Sequence, residues 1–170
     1  FLQHSYRGMT QMITKTELYA LDLSSFTFAI MELDEALRAN HEKLDDIAHA
    51  KETIASGMQG QSAQAIIAKL DTLEQKITDH MTSIQQTQAA ITTYRTNKQQ
   101  LQRDVINCVD NAELNDYSIS DDWIVRPTLE LLSSLTPDQV GRRFADASII
   151  QTKLFAFVST FDQYDQHAPI

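Results

Sequence analysis

The chain is poor in the residues that bend, cross-link or anchor a polypeptide. Its 170 residues contain four Gly, three Pro and one Cys. So few breakers leave few places to turn, which favours long helices over a many-stranded fold. A lone Cys excludes an internal disulfide, and Cys108, falling on an apolar stripe, reads as a small buried residue. Cations are also scarce, with 14 Lys and Arg against 23 Asp and Glu, a formal charge of −9. That balance argues against nucleic acid, whose phosphates reward basic stripes, and against docking on anionic lipid. No stretch approaches the roughly 18 apolar residues of a membrane span. The most apolar stretch, 147–158, is interrupted by Ser148, Gln151, Thr152 and Lys153. No basic-flanked apolar leader appears near the start. Residues 1–8 read as a possible added tag, with Met9 and Met12 as candidate native starts.

What the chain has instead is helical periodicity. Leu23, Phe26, Ile30, Leu33, Leu37, Leu44, Ile47, Ile54 and Met58 fall on alternating three- and four-residue steps, with Asn40 and Lys51 in the polar slots. Downstream, Leu70, Leu73, Ile77, Ile84, Ile91, Tyr94, Leu101, Val105 and Cys108 keep the stride, with His80, Thr87 and Lys98 between them. A 3.5-residue repeat gives each helix one narrow apolar seam. Between the seams stands Ser56-Gly57-Met58-Gln59-Gly60-Gln61. Two seams joined by a short Gly-containing turn fold back as an antiparallel hairpin. The expected fold is therefore all-α: an elongated helical hairpin over 22–108, a polar connector over 109–127, and C-terminal helices over 128–165 forming a cap, all in one domain.

The finer expectations follow from capping chemistry. Asp22 is the expected N-cap of the first arm, with Ser24 and Ser25 as substitutes, and that arm runs to Ser56, roughly 50 Å. The second arm, Gln61 to about Asn107, spans roughly 70 Å, so about 20 Å of it needs other cover. Residues 17–23 fit either an extended entry or a first helical turn. Residues 109–123 read as a loop with at most one helical turn. Thr128 to Leu135 reads as a short helix. Thr136-Pro137-Asp138 is a strong helix start, and Val140, Phe144, Ala147, Ile150, Leu154, Phe157 and Phe161 give the helix that follows one apolar face. That face should pack on the far end of the second arm, with Trp123, or Leu131 and Leu132, closing the junction.

Little in the sequence suggests chemistry. His41, Asp45 and His49 lie at i, i+4 and i+8, which spans two turns and reaches one metal ion poorly. The acid pairs Asp45/Asp46 and Asp121/Asp122 diverge on neighbouring positions and read as solvated charge. Gly57 and Gly60 lack the Lys and the preceding strand of a phosphate loop. No nucleophile motif, metal site or cofactor site is expected, and the chain does not read as an enzyme.

Met58-Gln59-Gly60, followed by Ala63, Ala65, Ile66 and Leu70 opening the second helix, resembles the WXG100-type hairpin of type VII secretion substrates. The form with an aliphatic residue in place of Trp resembles the LXG domain, the N-terminal targeting domain of Gram-positive polymorphic toxins. Met58 stands where that family has Leu. The resemblance covers 22–108 by hairpin pattern and 58–70 by motif. It implies fusion to a C-terminal toxin, small α-helical partners (WXG100-like proteins or targeting chaperones), and a type VII secretion ATPase as receptor. It also implies a cytoplasmic chain before export and a secreted or cell-surface one afterwards, with no stable membrane insertion. The family's export signal, an aromatic followed four residues later by an acid, has two candidates: Phe161 with Asp165, and Tyr117 with Asp121. The first is preferred because it closes a helix. Leu18, Tyr19 and Leu21, with Met12 and Ile13, are candidate partner-binding residues. A free-standing coiled-coil adaptor is the competing expectation, and a helical pore-former inserting 149–158 is a third.

Overall fold

The computed structural model describes residues 12–166. It is all-α apart from one small two-stranded sheet. The elements are α1 (Lys15–Tyr19), α2 (Ser24–Gly57), α3 (Gln61–Leu114), β1 (Tyr117–Ile119), β2 (Val125–Pro127), α4 (Leu129–Leu132) and α5 (Pro137–Gln166). They fall into two compact units, one of residues 23–93 and one of 12–22 with 94–166. The expected hairpin over 22–108 is thus divided between them within α3.

In the first unit, α2 and residues 61–93 of α3 run antiparallel. Lys51 pairs with Asp71 at 2.6 Å and Glu74 at 3.1 Å. Gln88 donates to the Ile30 carbonyl at 3.3 Å and to the Asp34 carboxylate. Partners therefore move back along α2 as α3 advances. The α2 seam lies where the spacing puts it: Leu23, Asn40 and Ile47 are buried, and Phe26, Ile30, Leu33, Leu37, Leu44, Lys51 and Ile54 half-buried. Met58, the expected last seam residue, is 43% exposed. Asn40 settles its amide on the Ala36 carbonyl one turn back, at 2.8 Å.

On α3 the expected row needs correction. Leu70, Ile77, Ile84 and Ile91 face inward, but Leu73, His80 and Thr87 are exposed. The second row runs one residue later, through Glu74, Met81 and Gln88. Both choices flank the same central row, so the spacing alone does not separate them. Contacts across the hairpin do, because Met81 brings more apolar surface than His80, and Glu74 and Gln88 find partners on α2.

The chain reverses at the expected residues. Met58 is extended (φ −131°, ψ 148°) and its N–H caps the Ile54 carbonyl at 2.9 Å. Gly60 has φ +99°, a left-handed conformation that L side chains rarely adopt. An added Cβ at Gly60 would meet nothing within 4 Å, so backbone conformation, rather than close helix approach, is what requires glycine. The start of α2 differs from expectation. Its N-cap is Leu23 without a side-chain cap bond, in place of Asp22 or its substitutes Ser24 and Ser25.

In the second unit, a core of Leu18, Val105, Val109, Trp123, Leu154, Val158 and Phe161 gathers α1, the end of α3, the strands and α5. Residues 17–23 begin as helix, with Thr14 capping α1 through the Glu17 amide. The helix α3 continues to Leu114, beyond the expected end near Asn107. Val105, Val109 and Ala112 keep the seam spacing and are buried, so packing outweighs the polar Asp110 and Asn111. The residues read as a loop also contain a β-hairpin, with Tyr117 opposite Pro127 and Ile119 opposite Val125. Alternation buries Tyr117, Ile119, Val125 and Pro127 and exposes Ser118 and Arg126. Trp123 closes the junction as expected. It sits at φ +69°, an outlier for so bulky a residue, yet is 1% exposed and donates its indole N–H to the Ile13 carbonyl at 2.7 Å.

Thr128 caps α4, and Thr136 and Gln139 exchange capping bonds at the start of α5. Ala147, Leu154 and Phe161 lie on its buried face as expected. Phe144 does not, being 48% exposed, and Val158 takes a fully buried place beside the half-buried Phe157.

The turn chemistry separates two glycines. Gly60→Val should cost about 1–2 kcal/mol, the usual penalty for a side chain in the left-handed region. Gly57→Ala sits in open space at a helix end and should be neutral or stabilising by up to about 1 kcal/mol. Urea denaturation of both variants checks this; equal effects would remove the conformational role of Gly60.

Candidate functional site

The turn Met58-Gln59-Gly60 is exposed at the end of the hairpin, although the Met58 N–H and the Gly60 carbonyl are taken by Ile54 and Gln64. On the same unit, four large apolar residues lie off the seam and exposed: Phe28 and Met31 on α2, and Ile66 and Leu73 on α3. Scattered single apolar residues are normal on a surface. Here they come as pairs spaced three and seven residues apart, a helical spacing that puts each pair on one stripe.

The N-terminal partner candidates are placed differently from expectation. Leu18 is fully buried in the core of its own unit, and Met12, Ile13 and Leu21 pack against that core. Gln102 donates its amide to the carbonyls of Leu18 and Leu21, at 3.0 and 3.4 Å, which fixes the segment further. Asp121 accepts from the Thr16 amide at 2.8 Å and hydroxyl at 2.6 Å. Those bonds hold its carboxyl below the usual range. An apolar run so short gains most by joining the nearest core, and this one does. Tyr19 alone of the three named candidates stays exposed, at 40%, with the Lys15 ammonium 5.9 Å above its ring.

Phe161 and Asp165 are brought together around a third residue. Lys98, in a polar gap of the α3 seam, is only 4% exposed. Its ammonium stands 4.2 Å over the Phe161 ring and 5.2 Å over the Tyr94 ring, and it pairs with Asp165. Asp165 also accepts from the Tyr94 hydroxyl at 2.6 Å. Burial, reinforced by that carboxylate, pushes the Tyr94 hydroxyl well above its ordinary range. A buried cation is tolerable only when paired, and two aromatic faces plus a carboxylate meet that requirement. Phe161 itself is fully buried. The other aromatic–acid candidate is divided, with Tyr117 buried at the start of β1 and Asp121 engaged with Thr16.

His41, Asp45 and His49 are exposed along α2, and among the described residues no group of three His, Cys, Asp or Glu could hold a metal ion. No described helix is long and apolar enough to cross a membrane. Leu154 and Val158, within the segment a pore-former would insert, belong to the core.

The sequence did not reveal a groove of about 380 Å³ between the end of α3 and the middle of α5. Asn111 and Asn115 line one side and Arg143, Asp146 and Lys153 the other, over Ile150 and Ala112. Cys108 lines it too, half-buried, its thiol pushed up by burial. The Arg143 guanidinium lies 5.7 Å from the Tyr117 ring centre and reaches its hydroxyl at 3.4 Å. The missed signal is the extension of α3 past residue 107, without which Asn111 and Asn115 have no helix to stand on.

Comparison with known proteins leaves this geometry to speak for itself: no family model, no curated protein and no solved structure matches the chain.

Removing either member of the Lys98–Asp165 pair should have unequal effects. Lys98→Met keeps an apolar stem against Phe161 and leaves a half-exposed carboxylate to water, so it should change stability by less than about 1 kcal/mol. Asp165→Ala strands a buried ammonium and should cost about 1–3 kcal/mol, reduced from a fully buried pair because Asp165 is 53% exposed. Urea melts of both single variants decide it; a larger loss for Lys98→Met would contradict this view of the pair.

Proposed function

We propose that this chain is a non-catalytic targeting and interaction domain, one that directs a fused C-terminal toxin to a Gram-positive type VII secretion system. In this reading small α-helical proteins pair with its helices, and the assembly is presented to the secretion ATPase. The observation that carries it is the reversal at Met58-Gln59-Gly60 between two heptad helices, with Gly60 left-handed and the turn exposed. The residues behind the LXG resemblance are thus the residues at which the chain turns. The exposed pairs Phe28/Met31 and Ile66/Leu73 add apolar surface of the kind a partner helix covers. The partner-binding role moves accordingly from Leu18 and Leu21, which are spent in a core, to the outer stripes of the hairpin.

The test is export. The chain is fused to a reporter and expressed in a Gram-positive host with and without its type VII ATPase, together with the host's small helical type VII proteins. The expected result is reporter in the medium only when the ATPase is present, and co-elution of the helical proteins with the chain. Reporter kept inside the cell in both strains, with the helical proteins still bound, would favour a free-standing helical adaptor instead.

A further inference from the structure

We infer that the two outer stripes of the hairpin dock on one another between copies of this chain, the α2 stripe of one copy lying along the α3 stripe of the next. These are the surfaces that the proposed function gives to partner helices, yet self-docking does not depend on that reading. The two stripes are opposite in charge. On α2, Phe28, Met31, Glu35, Arg38 and Glu42 follow three- and four-residue steps, and all are exposed. Arg38 is held by both Glu35 and Glu42, which leaves one net negative charge on those three residues. The helix as a whole is acidic, with seven Asp and Glu against three Lys and Arg. On α3, Ile66, Lys69, Leu73 and Lys76 keep the same steps and are again exposed. Neither lysine forms an ion pair among the described residues. The acids in this part of α3 are engaged elsewhere, Asp71 and Glu74 by Lys51 and Asp79 by Gln75. One chain thus displays an acidic stripe and a basic one, each with two exposed apolar residues.

Their spacings also match. Glu35 and Glu42 stand seven residues apart, as do Lys69 and Lys76. With the two helices parallel, the alignment that sets Glu35 beside Lys69 also sets Glu42 beside Lys76 and Met31 beside Ile66. It lays the apolar stem of Arg38 along Leu73. The antiparallel alignment that makes both ion pairs sets Met31 against His80 and Phe28 against Ser83, so that apolar pair finds no match. At about 100° per residue, the α2 stripe lies opposite its own seam and the α3 stripe about a quarter-turn from its seam. The stripes therefore face different ways. Contact joins the α2 of one copy to the α3 of the next and leaves a free stripe at each end, a head-to-tail arrangement. Each stripe spans about two heptads, and exposed ion pairs are individually weak, so the association needs concentrated protein.

The test is sedimentation equilibrium of the purified chain alone. Average mass should rise beyond two chains as the concentration increases from about 10 μM to about 1 mM. Lys69→Glu with Lys76→Glu should weaken association about tenfold, and so should Glu35→Lys with Glu42→Lys. Mixing the two double variants should restore it, because each reversed stripe then meets its complement, a rescue that unfolded variants would not give. A wild-type mass fixed at one chain or at two, association indifferent to both reversals, or no recovery in the mixture would overturn the inference. So would a monomeric chain whose stripes bind the small helical proteins, which would give the stripes to those partners. Export is not read in this experiment, so self-association and the proposed function can each fail without the other.

Discussion

Alternation of three- and four-residue steps along α3 is the constraint on which the rest depends. Positions 63, 67, 70, 74, 77, 81, 84, 88 and 91 follow it without interruption, and so do the buried Lys98, Val105, Val109 and Ala112 further along. Such a repeat keeps one stripe on one side of a helix for its full length. Apolar members drive burial, and polar members set register. Glu74 against Lys51 and Gln88 against Ile30 and Asp34 are satisfied in one pairing of α2 with α3. A shift by one heptad would set Glu74 opposite Leu44 or Met58 in place of Lys51, and would take Gln88 away from Asp34.

How much of this was legible follows from which signals are local. Helix existence, the turn at Met58-Gln59-Gly60 and the Thr136-Pro137 start depend on neighbouring residues, and each appears where spacing and capping chemistry put it. The outer row of the α3 seam was misread because Leu73 and Glu74 are equally good neighbours of Leu70 and Ile77. Only α2, distant in sequence, distinguishes them. The end of α3 and the β-hairpin were missed for a related reason. Asp110, Asn111, Asn115 and Asp116 give a loop-like composition, yet Val109, Ala112, Tyr117 and Ile119 are all buried, recurring with the period of whichever element they occupy.

The candidate site was less legible than the fold because burial cannot be read from apolarity alone. Leu18 and Leu21 looked like spare surface and are absorbed by the core that Trp123 closes. Phe161 and Asp165 looked like a free pair at a helix end, and Lys98 draws both onto α3. The groove needed α3 to reach Leu114, which the loop-like composition after residue 109 concealed, whereas the packing of α5 on the far end of α3 was expected. On the hairpin, what remains outward is patterned: Phe28 with Met31 on α2, and Ile66 with Leu73 on α3. An interaction domain would present such a surface, and the proposed role rests on it.

The central claim is the antiparallel pairing of α2 with α3 across the turn at residue 60. Its most direct test is a distance between spin labels at the exposed positions Lys43 and Asp79, in a Cys108→Ser background. Helices packed side by side about 10 Å apart should put the labels at about 15–30 Å once the label arms are added. One continuous helix through residues 57–60 would put them about 54 Å apart, and a single population there would contradict the account.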